Sequence, residues 1–448
     1  MPLRSALGLA AQSSVLPGLE KALAGLKSSA SPPATKPGIQ LPADHYAHPG
    51  APTEWWWNVG TLTSGARTFG FEINAVSYAG QGGFAFTQIM LTDVDNDRHL
   101  QRTTNYLAGV FNCEDWAQHD PTKPWFVALG DPANFLSTIT VTNAGSNYTS
   151  PPTVVISGGG GSKAVATANL DTHGGVASID LWNAGSGYTS APTITLGGGG
   201  GSAAAAIALQ SYATMNSSGS DPTQNMSVKA LLVDAATQAP VLFDLTLSQK
   251  GPPFLVLGSG MVPVPKTCGT ALQTNNFYYS LTQLQASGTI TLDGQKLPVT
   301  GVTWMDHEYG AFAAAGKPVK WILQDMQLDN GVCISNFSLD EPVEGQPTTS
   351  IATLQYPGKP TIWVSTTTTP GKPWTSPITH KTYFLELVVA MKKTVPWWPD
   401  ATLTVTSSIA SQEFPAAAGA IYEGVAVVRG TFNGQQVTGP AWNEQTAR

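Results

Sequence analysis

Short turn signals set between stretches of alternating apolar and polar residues constrain this chain more than any other feature. Asp293-Gly294 separates SGTITL from QKLPV, and Asp329-Asn330-Gly331 separates ILQDMQL from VCISNFSL. Asn433-Gly434 closes another such pair near the end. These dipeptides accept positive φ at both central positions and so favour the tight turns whose twist matches two antiparallel strands. Upstream, Ser64-Gly65 turns into a run in which Phe69, Phe71 and Ile73 alternate, and Phe84, Phe86, Gln88 and Met90 share one face of the next. Successive hairpins make antiparallel meanders, and closing a meander into a barrel removes its exposed edges. The expected fold class is therefore all-β. A barrel of about eight strands can hold one small ligand.

With 448 residues, of which 42% are hydrophobic, the chain is long enough for two ordinary domains and a sizeable core. Only 11% are charged, against about 25% in an average domain. The net charge is −7 and there is no Lys/Arg run, which argues against a nucleic-acid partner. No stretch reaches the roughly 18 to 20 consecutive apolar residues of an integral membrane segment. Cys113, Cys268 and Cys333 are far apart and odd in number, which speaks against a disulfide framework or a cysteine zinc site. Reduced thiols suit a cytoplasmic protein. The apolar run from Ala6 to Ala11 is short for a secretory signal, so export is the lesser alternative. Residues 14–26 carry Leu19, Ala22, Leu23 and Leu26 at helical spacing, and a Pro/Ser-rich linker follows over 28–42.

One segment departs from its surroundings. NAGSNYTSPPTVVISGGGGS begins at Asn143 and NAGSGYTSAPTITLGGGGGS at Asn183, 40 residues later. This tandem repeat predicts a small inserted β module. Its Gly runs lead into strand-like sequence rather than a helix, so Gly161-Ser162-Lys163 reads as structure and not as a phosphate loop.

Two clusters could carry chemistry. Glu54-Trp55-Trp56-Trp57 cannot present all three indoles to one side of a strand. It is either core packing at a barrel closure or the aromatic wall of a ligand cavity. In Thr303-Trp304-Met305-Asp306-His307-Glu308-Tyr309-Gly310, alternation puts Trp304, Asp306 and Glu308 on one face and His307 and Tyr309 on the other. Two carboxyls in a dry core are expensive. Lining a cavity, a buried carboxyl would stay protonated and could serve as a general acid. The competing account is a carboxylate that anchors a buried polar network at a barrel mouth.

These same blocks carry a family resemblance. Glu54-Trp55-Trp56 with FGFEI and FTQIMLTD, then KGPPFLVLGSG, FYYSLTQLQASGTITLDGQKLPVTGVTWMDHEYGAF and WILQDMQLDNG, and finally VTGPAWNEQT, resemble the hydroxyneurosporene synthase (carotenoid 1,2-hydratase) and AttH group. Fungal Diels–Alder cyclases are related to it. The resemblance covers roughly 40–136 and 211–448. It implies two consecutive lipocalin-like antiparallel β-barrel domains with the repeat module inserted. The expected segmentation is 1–39 as arm and linker, 40–136 plus 211–288 as the first barrel, 137–210 as the module and 289–448 as the second barrel.

The resemblance also implies an acid at Asp306, where hydratases of the group protonate an alkene, with Trp304 in place of their Tyr. Glu308 would tune it. Trp55, Trp56, Glu54, Tyr278, Tyr279, His307, Tyr309 and Trp321 are the further candidates for substrate contact. Phe277-Tyr278-Tyr279 stands where the hydratases carry His-x-Trp, which weakens carotenoid hydration specifically. The expected partner is a hydrophobic small molecule, a polyene or terpenoid, and the expected reaction is hydration or cyclisation at a carbon–carbon double bond. A non-catalytic carrier and a shape-driven pericyclase are the alternatives. No organic cofactor or metal is implied.

Other signals are weak. His45 and His48 precede Pro49-Gly50 with no third metal ligand nearby, which suggests a loop role. Asp93, Asp95 and Asp97 lack the Gly of a calcium loop and read as a charged turn. Trp397-Trp398 between Pro396 and Pro399 predicts a packed corner or a cavity rim. No G-x-S-x-G element occurs.

Overall fold

The computed structural model describes residues 38–78, 83–107, 115–262, 271–311, 321–338, 343–415 and 420–446. The helix expected over 14–26 lies outside them, as do Cys113 and Cys268. Among the described residues there is no α-helix, only short 3-10 turns at Ala43–His45, Val94–Asn96 and Val256–Gly258. None of these is long and apolar enough to cross a membrane.

The chain opens with the meander β1 (Thr53–Ser64), β2 (Arg67–Tyr78), β3 (Phe84–Asp93) and β4 (Arg98–Tyr106), then β5 (Trp125–Leu129). Six short strands make up the repeat segment: β6 (Thr138–Asn143), β7 (Thr153–Ser157), β8 (Val165–Leu170), β9 (Val176–Asn183), β10 (Thr193–Gly197) and β11 (Ala205–Leu209). The first sheet resumes with β12 (Tyr212–Ser217), β13 (Asn225–Val233), β14 (Pro240–Gln249), β15 (Phe254–Leu255) and β16 (Met261–Val262). It ends with the long hairpin β17 (Asn276–Leu292) and β18 (Gln295–Gly310).

Its strands run in the order β4-β3-β2-β1-β18-β17-β14-β13-β12-β5. Arg102 on β4 reaches across to the backbone carbonyl of Asp234, just past β13, at 3.2 Å, so the sheet is curled into a nearly closed barrel. Phe69, Phe71, Met215, Leu245 and Phe243 fill its interior.

The second sheet comprises β19 (Ile322–Gln327), β20 (Cys333–Ser338), β21 (Thr348–Gln355), β22 (Ile362–Pro370) and, after the small hairpin β23 (Pro373–Thr375) and β24 (Thr382–Phe384), β25 (Glu386–Met391). It continues through β26 (Ala401–Ser407), β27 (Glu413–Phe414), β28 (Ile421–Phe432) and β29 (Gln435–Thr446). Pairing of β26 with β28 closes eight of these strands into a barrel. Its core is built from Ile334, Leu354, Val389, Leu403 and Val428.

Turn chemistry sets the hairpins. Asp293 and Gly294 sit at φ 51° and 75°, and Asn433 and Gly434 at 50° and 80°, as tight turns require. Because β17 and β18 both belong to the first sheet, the change of sheet falls between Gly310 and Ile322, later than the boundary at 288/289 drawn from sequence.

The repeat segment connects β5 to β12, which pair directly with one another, Ala213 opposite Leu129 and Ser217 opposite Trp125. Within it the two repeats clasp each other. β7 pairs with β10, while β6 with β11 and β9 with β8 are equivalent pairs related by the 40-residue offset. The segment has its own core around Tyr148, Tyr188, Ile139 and Ile179.

The two barrels share a third core. Val59, Met90, Phe254 and Trp304 of the first pack against Cys333, Ile351, Phe414, Val425 and Trp442 of the second. Cys333 is a buried free thiol within this seam. The Gln327 amide bonds the Thr303 carbonyl across it at 3.0 Å.

Candidate functional site

β18 lies between β1 and β17, and their registers line up the candidate residues in rows. Trp57, Asp306 and Ser280 form one row, Trp55, Glu308 and Tyr278 a second. Trp56, His307 and Tyr279 form the alternate row, followed by Glu54, Tyr309 and Phe277. Directly opposite residues point to the same side of an antiparallel sheet, and successive rows alternate sides. The segment from Trp304 to Tyr309 therefore serves two clusters, back to back. The first faces the second barrel; the second faces the interior of the first.

In the seam, Oδ1 of Asp306 accepts the Ser280 hydroxyl at 2.5 Å and the Trp304 indole N–H at 2.8 Å. Burial pushes its carboxyl up to about 6, against those hydrogen bonds and one from Tyr278, which favour the ionised form. The Asn276 amide donates to Glu308, which burial, with Asp306 close by, raises to about 8. The second barrel contributes three more carboxyls. Trp321 donates to Glu444 at 2.5 Å and Trp442 to Glu423 at 2.7 Å, and Asp325 lies close to both Asp306 and Glu444. Glu72 on β2 completes the group, held by Asn74 at 2.8 Å. Desolvation raises Glu72, Asp325 and Glu423, and lifts Glu444 to about 7.

Among the described residues none of these acids forms an ion pair with Lys or Arg. Glu72, Asp325 and Glu423 each leave one buried oxygen without a partner. The seam thus gathers carboxyls whose protonated forms burial favours, walled by indoles, with Phe254 packed 5.4 Å from Trp304. A slot of about 10 Å3 lies between Trp304, Asp325 and Trp442. That is close to the room one water needs, and a larger guest requires these walls to part.

The other cluster is a chain of hydrogen bonds. His48 Nδ1 meets Glu54 Oε1 at 2.8 Å, and the same oxygen meets His307 Nε2 at 3.0 Å. His307 Nδ1 lies 3.2 Å from the Tyr279 hydroxyl, which lies 2.5 Å from His45 Nδ1. Trp56 stacks on His307 at 4.2 Å, and Tyr309 on His48 at 3.5 Å. Despite its burial, Glu54 is held down to about 2 by His48 and His307, and its charge raises His48 to about 9. Burial depresses His45 and His307.

The structure does not gather the predicted residues into one group. Asp306, Glu308, Trp304, Tyr278 and Trp321 meet in the seam, with Trp55 at its rim against Val76, Tyr78 and Phe84. Glu54, Trp56, Tyr279, His307 and Tyr309 belong to the first barrel's interior cluster. The loop role expected for His45 and His48 is corrected: His45 is fully buried, and His48 is tied to β1 and β18 through Glu54 and His307. Glu54 is six residues from His48, but Tyr279 and His307 stand far off in sequence, so spacing alone could not complete the cluster. The seam acids Glu72, Asp325, Glu423 and Glu444 also escaped the sequence reading, because single acids in alternating strands look like solvent-facing positions. Trp397 and Trp398 line a separate hollow of about 310 Å3 in the second barrel, with Tyr356 and Lys393.

Among solved structures, an AttH-named protein from Nitrosomonas europaea is similar to this chain. The TM-score is 0.56 at 16% identity, covering 94% of this chain and 100% of that one. Kievitone hydratase from Nectria haematococca gives 0.54 at 12%, covering 94% and 96%. At such identities the likeness is one of fold. A search of curated proteins by sequence finds no match. A family profile described as AttH-like matches residues 202–444, more than half the sequence, with all of β17 and β18 and the second barrel up to the last two residues of β29, and the chain therefore belongs to the AttH-like family.

Proposed function

We propose that this protein is an enzyme acting on a carbon–carbon double bond of a hydrophobic small molecule in the seam, with Asp306 as proton donor. One observation carries the reading. Asp306 is buried in a site walled by indoles and free of basic partners among the described residues, and there desolvation raises its carboxyl to about 6 against hydrogen bonds from Ser280, Trp304 and Tyr278, so it keeps a proton to a higher pH than an exposed Asp does. Protonation of an alkene carbon breaks the π bond and leaves a carbocation on its neighbour. The π-faces of Trp304, Trp57 and Trp442 would steady that charge. Water then adds to the cation and returns a proton to Asp306, or a second alkene of the same substrate closes a ring and loses a proton there. Kievitone hydratase, which shares the fold, is named for the first outcome.

The test is mass spectrometry of linear polyenes and terpenoids incubated with wild type and Asp306→Asn. A product heavier by one water means hydration, and an isomer means cyclisation; either must vanish in the variant. Compounds retained unchanged by both proteins would instead make the chain a carrier.

A further inference from the structure

On the opposite side of β18 from the seam, we infer that Nδ1 of His48, Oε1 of Glu54 and Nε2 of His307 form a binding site for one divalent transition-metal ion of the zinc class. The three atoms lie within 4.8 Å of one another. Two imidazoles and one carboxylate are a donor set that zinc and its neighbours accept, leaving a fourth position open. Calcium and magnesium prefer oxygen donors throughout, so they suit it poorly.

The outer contacts make the stronger argument. Metal-binding imidazoles usually have their second nitrogen held by a carboxylate, carbonyl or water, which fixes the ring and its tautomer. Here His48 Nε2 faces Asp44 Oδ1 at 3.6 Å, and His307 Nδ1 faces the Tyr279 hydroxyl at 3.2 Å. The Glu54 carboxylate accepts the His48 backbone N–H, at 2.9 Å on Oε2 and at 3.2 Å on Oε1. Asp44 is itself fixed by the Gln40 N–H at 2.5 Å. Every ligand thus has its other polar atom engaged, and His48 Nδ1, Glu54 Oε1 and His307 Nε2 are turned toward each other. Stacking on Trp56 and Tyr309 holds both rings in place. Glu54 and His307 are buried, whereas the His48 side chain is 16% exposed, which gives an ion a way in.

The experiment uses the full chain, stripped with a chelator, dialysed and titrated with Co2+ as a spectroscopic substitute for Zn2+. The expected result is one equivalent bound with visible absorption bands of four-coordinate cobalt, bleached by added Zn2+. His48→Ala abolishes the bands, and Asp44→Asn weakens binding by about 10- to 100-fold. His48 sits on a partly exposed turn, and circular dichroism verifies that its variant is folded. Should it unfold, the Asp44→Asn shift in affinity locates the site instead. Absence of Co2+ uptake by wild type, or uptake indifferent to Asp44→Asn, overturns the assignment. Neither outcome depends on an activity in the seam.

Discussion

Trp304 donates its indole N–H to Oδ1 of Asp306 at 2.8 Å from two residues away on the same strand. Residues two apart on a strand share a face, so this contact is local to β18 and involves no residue of the second barrel. Trp304→Phe keeps an aromatic ring but deletes the donor. Loss of a hydrogen bond to a buried acceptor is expected to cost about 1–3 kcal/mol in denaturant unfolding. Asp306→Asn is expected to cut turnover in the seam by about 100-fold or more, the usual contribution of a positioned acid, with little change in the unfolding midpoint. A variant that keeps full turnover would remove Asp306 from the chemistry.

The seam acids give stability a pH dependence of definite sign. Glu444 is ordinarily at 4.5 and is raised to about 7 by burial, with Asp306 adding to the shift. A carboxyl raised on folding binds its proton more tightly in the native state. Its contribution is therefore fullest below the unfolded value and declines as pH climbs from about 4.5 to about 7. Glu72, Asp325 and Glu423 are shifted in the same direction. The depressed imidazoles of His45, His99 and His307 act in the opposite sense below about 6.5, so the readout is a difference: relative to wild type, Glu444→Gln should lose the part of the thermal midpoint that declines between about 4.5 and about 7. A Glu444→Gln variant whose midpoint follows the wild-type pH profile unchanged would contradict the raised Glu444 carboxyl.

Tyr279 joins two buried imidazoles, His45 at 2.5 Å and His307 at 3.2 Å. Tyr279→Phe fills the same space and leaves two ring nitrogens without a partner. Each orphaned polar group costs about 1–3 kcal/mol, so urea denaturation is expected to report a loss of a few kcal/mol. A near-neutral result would mean that water replaces the hydroxyl.

The clasped repeats predict paired effects. Gly159 and Gly199 sit at φ 69° and 73°, and a Cβ there would meet the carbonyls of Ser190 and Ser150 at 2.6 and 2.4 Å. Gly159→Ala and Gly199→Ala are each expected to destabilise the repeat segment by more than about 1 kcal/mol. Because the two halves are equivalent, the two losses should be nearly equal. Hydrogen exchange confined to 137–210 would read them out, with the seam unaffected because β5 and β12 pair independently of the insert.

By itself the sequence determined the strands, several of their turns and the division of faces along β18. Those properties are local: φ at Asp293-Gly294 and Asn433-Gly434 sets hairpins, and alternation sends Trp304, Asp306 and Glu308 one way and His307 and Tyr309 the other. The repeat at Asn143 and Asn183 was equally visible, since closely similar segments adopt the same local structure. Tertiary structure alone decided what each face meets. Trp56 and Tyr279 were grouped with the acid in one expected cavity, yet register puts them in the row of His307. Asp325, Glu423 and Glu444 come to Asp306 only because a second barrel closes and docks against β1, β17 and β18. His48 reaches His307 across 258 intervening residues for the same reason: strand pairing between β1 and β18 is a long-range contact that no local pattern encodes.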